Sequence, residues 1–161
     1  MAANIRSATL DDLASILELI RELAAYEKLS AMCVATEELL AEHLFGAESS
    51  AKSIVADVEG QVVGYAIWFK TFSTFLGRPG MWLEDIYVRP AFRKRGLGKS
   101  MVVHLAAEAH RRGFGRFEWS VLDWNAPAIE FYKSLGAVSL DDWSTMRASG
   151  TAIKKLAMTI T

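Results

Sequence analysis

The sequence holds one cysteine, Cys33, and three prolines among its 161 residues. A lone cysteine excludes an internal disulfide and agrees with a reducing compartment. His43, His104 and His110 are scattered, so no zinc-ligand spacing is present and no metal is expected. Long apolar runs are missing too: Val62 to Phe69 falls far short of the ~20 residues that cross a bilayer. The start Met1-Ala2-Ala3-Asn4-Ile5-Arg6 lacks the charged and apolar regions of a secretory leader, so a cytoplasmic location without a membrane partner is expected. Neither sign of charge is in excess, with 18 Lys and Arg against 19 Asp and Glu, a net charge of −1. A general nucleic-acid binder would be basic; nucleic acid is therefore not an expected partner, and any phosphate binding must come from a local patch.

The length suits one domain spanning residues 1–161, able to bury roughly two thirds of its unfolded surface. Ile5 to Ala8 leads to Thr9, a helix-capping residue with Asp11 and Asp12 behind it. Leu13, Ile16, Leu17, Ile20, Leu23 and Ala24 then recur at the spacing of one helical face. Thr36 starts a second helix that Gly46 stops. Ser53 to Val58, a Glu59-Gly60 turn and Val62 to Phe72 form a hairpin, and Met81 to Val88 is a further strand. Gly96 to Arg112 is helical, Arg116 to Leu122 a strand and Asn125 to Leu135 a helix; Trp143 and Thr151 to Ile160 suggest a final hairpin. The order predicts an α/β domain with a mixed, mostly antiparallel central sheet, one parallel strand pair and flanking helices.

The most informative segment is Val88 to Lys99. It joins a strand to a helix and carries Gly96 and Gly98 among Arg89, Arg93, Lys94, Arg95 and Lys99. Glycines let backbone N–H groups converge on an anion, and cations at a helix N-terminus oppose the dipole unless an anion is bound there. Taken alone, the segment fits a solvated basic turn equally well. The spacing matches neither the nucleotide P-loop nor the three-glycine dinucleotide fingerprint.

Arg93-x-x-Gly96-x-Gly98 after Glu84-Asp85-Ile86-Tyr87-Val88 resembles the acetyl-CoA loop of the GNAT superfamily of N-acetyltransferases. The resemblance continues through Trp124 to Ala137 and through Ile5 to Thr9 with Glu22 to Glu27. Leu83-Glu84-Asp85, Tyr26-Glu27 and Trp124-Asn125 point to the diamine and polyamine group, which acetylates spermidine, spermine or thialysine. The resemblance implies acetyl-CoA as cosubstrate, held by the backbone of Lys94, Arg95, Gly96, Leu97, Gly98 and Lys99, with Arg93 part of the loop. Ile86, Tyr87 and Val88 would pair with the pantetheine, and an amide near Ile86 would face the thioester carbonyl. Asn125, Ala126, Pro127 and Ala128 would contact the cofactor arm. Tyr26, Glu27, Glu118, Trp119, Ser120 and Asp142 would line the acceptor pocket, and a homodimer is implied.

Two features carry chemistry of their own. In Met81 to Val88, strict alternation places Glu84 with Trp82 and Ile86, and Asp85 with Leu83 and Tyr87. Two acids in an apolar strand are either held in ordinary ion pairs, with Arg78 or Arg89, or partly desolvated for use. An alkylammonium with a pKa near 10.4 is neutral in about one molecule in 2,500 at pH 7, so attack by an amine wants a proton acceptor. Glu84 is the expected base and Asp85 a substrate contact. Tyr132 reads as a boundary tyrosine at the edge of the Ala128, Phe131 and Leu135 stripe, or, by the resemblance, as the proton donor to a departing thiolate that also lies against the cofactor. Cys33 has no His near it in sequence, and direct attack needs no acyl-enzyme. The expected activity is transfer of an acetyl group to a primary amine of a small cationic molecule. Acetylation of a peptide or protein lysine or N-terminus, and acyl-CoA sensing without catalysis, are the alternatives.

Overall fold

A computed structural model describes residues 3–159. The chain divides into two compact units, up to Ser120 and from Val121 onward.

The first unit is built on a five-stranded sheet of β1 (Ala3–Ser7), β2 (Lys52–Val58), β3 (Gln61–Ser73), β4 (Arg78–Val88) and β5 (Phe117–Trp119), in that spatial order. Neighbours are antiparallel except β4 and β5, which are parallel and joined through helix α3 (Leu97–Arg111). Helices α1 (Leu13–Tyr26) and α2 (Glu37–Phe45) lie between β1 and β2 in sequence. The mixed sheet with one parallel pair is the one the sequence predicts.

Each sheet face has its own core. Ile54, Ala56 and Val58 of β2, Val63, Ala66 and Trp68 of β3, and Met81, Leu83 and Val88 of β4 pack with Leu97, Met101, Leu105 and Ala109 of α3. On the other face, Val55, Val62, Tyr65, Ile67 and Tyr87 pack with Ile16 and Leu19 of α1 and Leu44 of α2. The apolar positions change parity along β3 and β4 because each carries a bulge. Ala56 pairs with Gly64 but Asp57 with Val62, leaving Val63 extra; Trp68 pairs with Leu83 but Ile67 with Asp85, leaving Glu84 extra.

The Glu59-Gly60 turn works because both residues adopt positive φ, 54° and 83°, the geometry that suits a two-residue hairpin. Asp57 Oδ1 accepts the Gly60 amide at 2.8 Å. At the start of α1 the polar anchor is Asp12 rather than Thr9. Its buried carboxylate accepts from Thr9 N at 2.8 Å and takes both Arg6 guanidinium nitrogens, at 2.7 and 2.9 Å, tying β1 to α1.

Two element predictions are corrected. β5 is three residues long rather than the seven of Arg116 to Leu122, and Met81–Leu83 is the only stretch of β4 with which it pairs. In the second unit, α4 (Ala126–Ser134) is followed by α5 (Thr151–Ala157), a helix where a hairpin was expected. Thr151 to Leu156 has helix-forming Ala, Lys and Leu, so local propensity favours the helix. Ile160, the end of that expected hairpin, lies outside the described residues.

Candidate active site

The bulge at Glu84 sets the geometry of the two acids. Strict alternation would put Asp85 with Leu83; instead Leu83 faces the α3 core, while Asp85 joins Tyr87 on the α1 face. Ile86 also packs toward α3, so it does not share a face with Trp82 as expected. The phenol of Tyr65, a fully buried residue on β3, donates to Asp85 Oδ2 at 3.3 Å. Burial, then the charges of Glu84 and Glu27, push the Asp85 carboxyl up to about 6, while the Tyr65 hydrogen bond pulls the other way. Burial also raises Glu27 above the usual carboxylate range. Glu84 is exposed, and Trp82 Nε1 donates to its Oε2 at 2.9 Å. Of the two acids, one of which was expected to be partly desolvated, it is Asp85 that burial shifts, whereas Glu84, the expected base, is exposed.

The open side of β4 lies next to these acids. β5 leaves β4 after Leu83, so from Glu84 to Val88 the strand has β3 on one side and, among the described residues, no strand on the other. Val88 runs into the turn that starts α3. Gly96, with φ at 81°, is the residue before the helix, and an added Cβ would meet nothing within 4 Å. The glycine is required by conformation there, and the space in front of the helix is open. Lys94 is also left-handed, at φ 60°. Lys94, Arg95 and Lys99 are exposed around this end, with the Arg95 guanidinium 5.4 Å from the centre of the Phe92 ring.

Two cations of that segment have contacts of their own. Arg89 is ion-paired to Glu18 at 2.6 Å and to Glu22 at 2.9 Å, both on α1, and so pins α1 to the end of β4. Arg93 Nε donates to the Val88 carbonyl at 2.8 Å, and its guanidinium lies 5.3 Å from the ring centres of both Tyr26 and Tyr87. This links the turn to the acceptor candidates at the end of α1. Neither acid of β4 pairs with Arg78 or Arg89.

The remaining candidates divide between the units. In the first, Glu118 on β5 is ion-paired to Arg116 at 3.1 Å, the Trp119 ring stands 5.0 Å from Phe117, and Ser120 is exposed. In the second, the Asn125 side chain accepts the Ala128 amide at 3.4 Å, capping α4, with Ala126 and Pro127 opening the helix. Tyr132 is half-buried, its ring centre 5.2 Å from that of Phe131; Asp142 sits in an exposed turn. Asn125 and Tyr132 each have further interactions of their own. No cluster of three metal-ligating side chains occurs among the described residues. Tyr65 was missed from sequence: it sits in an apolar run where a phenol reads as core, although a buried hydroxyl needs a partner.

Residues 15–137 match the acetyltransferase (GNAT) family. The chain is similar to thialysine N-epsilon-acetyltransferase of Sus scrofa, 38% identical across 95% of this chain and 96% of the relative. It is also similar to L-ornithine N5-acetyltransferase of Arabidopsis thaliana, 28% identical across 97% and 88%. An integron cassette protein of V. cholerae has a similar structure, with a TM-score of 0.83 and 27% identity over 99% of both chains. The fold is shared as well by ribosomal-protein-alanine N-acetyltransferase of Brucella melitensis, with a TM-score of 0.74 and 23% identity over 92% of this chain and 99% of that one. With a match across most of its length and relatives similar from end to end, the chain belongs to the acetyltransferase (GNAT) family and is an enzyme.

Proposed function

We propose that the protein transfers an acetyl group to a primary amine of a small cationic molecule, of the polyamine, diamine or thialysine type, by direct attack. The observation that carries this is the Asp85 carboxylate: half-buried, hydrogen-bonded to Tyr65, and set among Glu84 and Glu27. A cluster with this excess of negative charge suits an ammonium. The relatives point the same way, since their names specify the ε-nitrogen of thialysine and the N5 of ornithine.

Acetyl-CoA, the cosubstrate the family uses in general, would supply the acetyl group as an activated thioester. The residues fit it: the open β4 edge from Glu84 to Val88 offers backbone pairing to the pantetheine, and the turn from Lys94 to Lys99 offers amides to the pyrophosphate. Within this reading the roles of the two acids exchange. Asp85 accepts the amine proton, and Glu84, held by Trp82 at the surface, contacts the cationic substrate. Bringing an amine of pKa 10.4 to its neutral form costs roughly 4.6 kcal/mol at pH 7, which the acceptor must help to offset. Tyr132, a phenol that stays protonated at neutral pH, would be the group that hydrogen-bonds to the leaving sulfur and gives it a proton as it departs. Residues 1–161 act as one acetyltransferase domain, working in the cytoplasm as a homodimer.

Thiol release from acetyl-CoA against a panel of amines tests this reading. Turnover of thialysine, ornithine or polyamines is expected, with Asp85→Asn slowed by about 10²-fold or more. Preferential acetylation of peptide lysines would overturn the substrate class. Binding of coenzyme A with no amine acetylated would favour a sensor.

A further inference from the structure

Tyr65 has an unusual position for a hydroxyl. It is the largest fully buried side chain of the first unit, central in β3, and it pairs with Tyr87 across the β3–β4 ladder. Asp85 lies two residues before Tyr87 and on the same side of the sheet, one diagonal step away. The bulge at Glu84 lets this pair face α1 while Leu83, just before it, faces the α3 core. A phenylalanine would fill the core equally well, so the oxygen is the part of Tyr65 that packing does not explain.

We propose that Tyr65 is a positioning residue for proton acceptance: its Oη donates to Asp85 Oδ2, fixing the carboxylate and leaving Oδ1 to take the proton of the substrate amine. The inference rests on the reading above in which Asp85 is the acceptor. Tyr65 itself does not shuttle protons. Burial, reinforced by the charges of Asp85 and Glu27, lifts its phenol above the usual range, with Cys33 adding in the same direction, so it remains a donor. The charged groups around Asp85 are Glu84 on its own strand and Glu27 beyond α1, both anionic. Against two anions, the Tyr65 hydrogen bond favours the charged, accepting form of Asp85.

The direction of the effect makes the test sharp. Removing a donor to a carboxylate raises its pKa, so Tyr65→Phe should move the acidic limb of kcat/KM upward. The expected shift is about half a unit to one unit, from a limb near 6 in the unmodified enzyme. The probe is thialysine at saturating acetyl-CoA, and KM for acetyl-CoA should stay the same. Carbon-13 titration of the Asp85 carboxyl, assigned with Asp85→Asn, should show the same displacement without turnover. Site-specific 3-fluorotyrosine at position 65, a stronger donor, should shift both readouts downward; it preserves the ring should Tyr65→Phe fail to fold. A limb and a carboxyl midpoint unmoved by either change overturn the role of Tyr65, while loss of the limb in Asp85→Asn would keep Asp85 as acceptor. A limb that persists in Asp85→Asn overturns the acceptor assignment and this inference with it. Should thialysine not be acetylated at all, the amine reading falls, and the carboxyl titration alone decides whether Tyr65 sets the state of Asp85.

Discussion

Single side chains in this protein are held by opposite electrostatic logics, and pH separates them. The Arg6 guanidinium holds the Asp12 carboxyl below the usual carboxylate range, helped by Thr9. Its stabilisation is therefore present above the unfolded-state pKa near 3.9 and is lost as pH falls through the lower native value. Arg6→Ala strands a carboxylate that is 5% exposed, and we expect a loss of about 2–3 kcal/mol at pH 7, read from denaturant unfolding, that shrinks in acid. Asp85 has the reverse sign. Its native carboxyl keeps its proton up to about 6, so between the unfolded value and that point the folded state binds more protons and stability falls as pH rises. Asp85→Asn should then unfold at a higher temperature than the wild type above pH 6, with the gap closing toward pH 4. The same substitution that costs activity should gain stability, the signature of an acid kept for chemistry.

Among the elements, the strand β4 and the turn before α3 carry the candidate site. Gly96→Ala forces a residue with a Cβ into φ 81° and should cost about 1–2 kcal/mol of stability. It should also raise KM for acetyl-CoA more than KM for the amine, measured by varying each at saturation of the other. The helices and strands were legible because apolar spacing reports directly on which face is covered, as with Leu97, Met101 and Leu105 of α3. Three things were not. A bulge leaves no mark in the alternation of a strand whose both faces are buried, so Asp85 was placed with Leu83, and Glu84 with Ile86, across a change of face that only the register reveals. Arg89 looked like part of an anion patch because its partners, Glu18 and Glu22, come from an element about seventy residues away in sequence. The tail held too few apolar residues in any rhythm for its state to be read from periodicity.

For the whole molecule, the net charge of −1 is an average over separated signs. Lys94, Arg95 and Lys99 surround the start of α3, whereas Glu27, Glu84 and Asp85 gather at the end of α1 and the middle of β4. Near-neutral totals hide such a separation, which is why composition excluded partners but named none. If an anionic cosubstrate and a cationic amine are drawn to these two patches, added salt should weaken both. We expect KM for acetyl-CoA and for the amine each to rise several-fold between 20 mM and 300 mM NaCl, with kcat changing little. A rise in only one would mean that the other patch does not meet its ligand.

The register between β3 and β4 already skips Glu84: Leu83 and Asp85 have partners on β3, and the residue between them has none. Without it, Met81, Leu83, Ile86 and Val88 would still fall toward α3, and Asp85 and Tyr87 toward α1. Position 84 is thus supernumerary to the architecture, a side chain the core neither uses nor notices. A candidate amine site would have, in that one residue, a place to vary without repacking anything behind it.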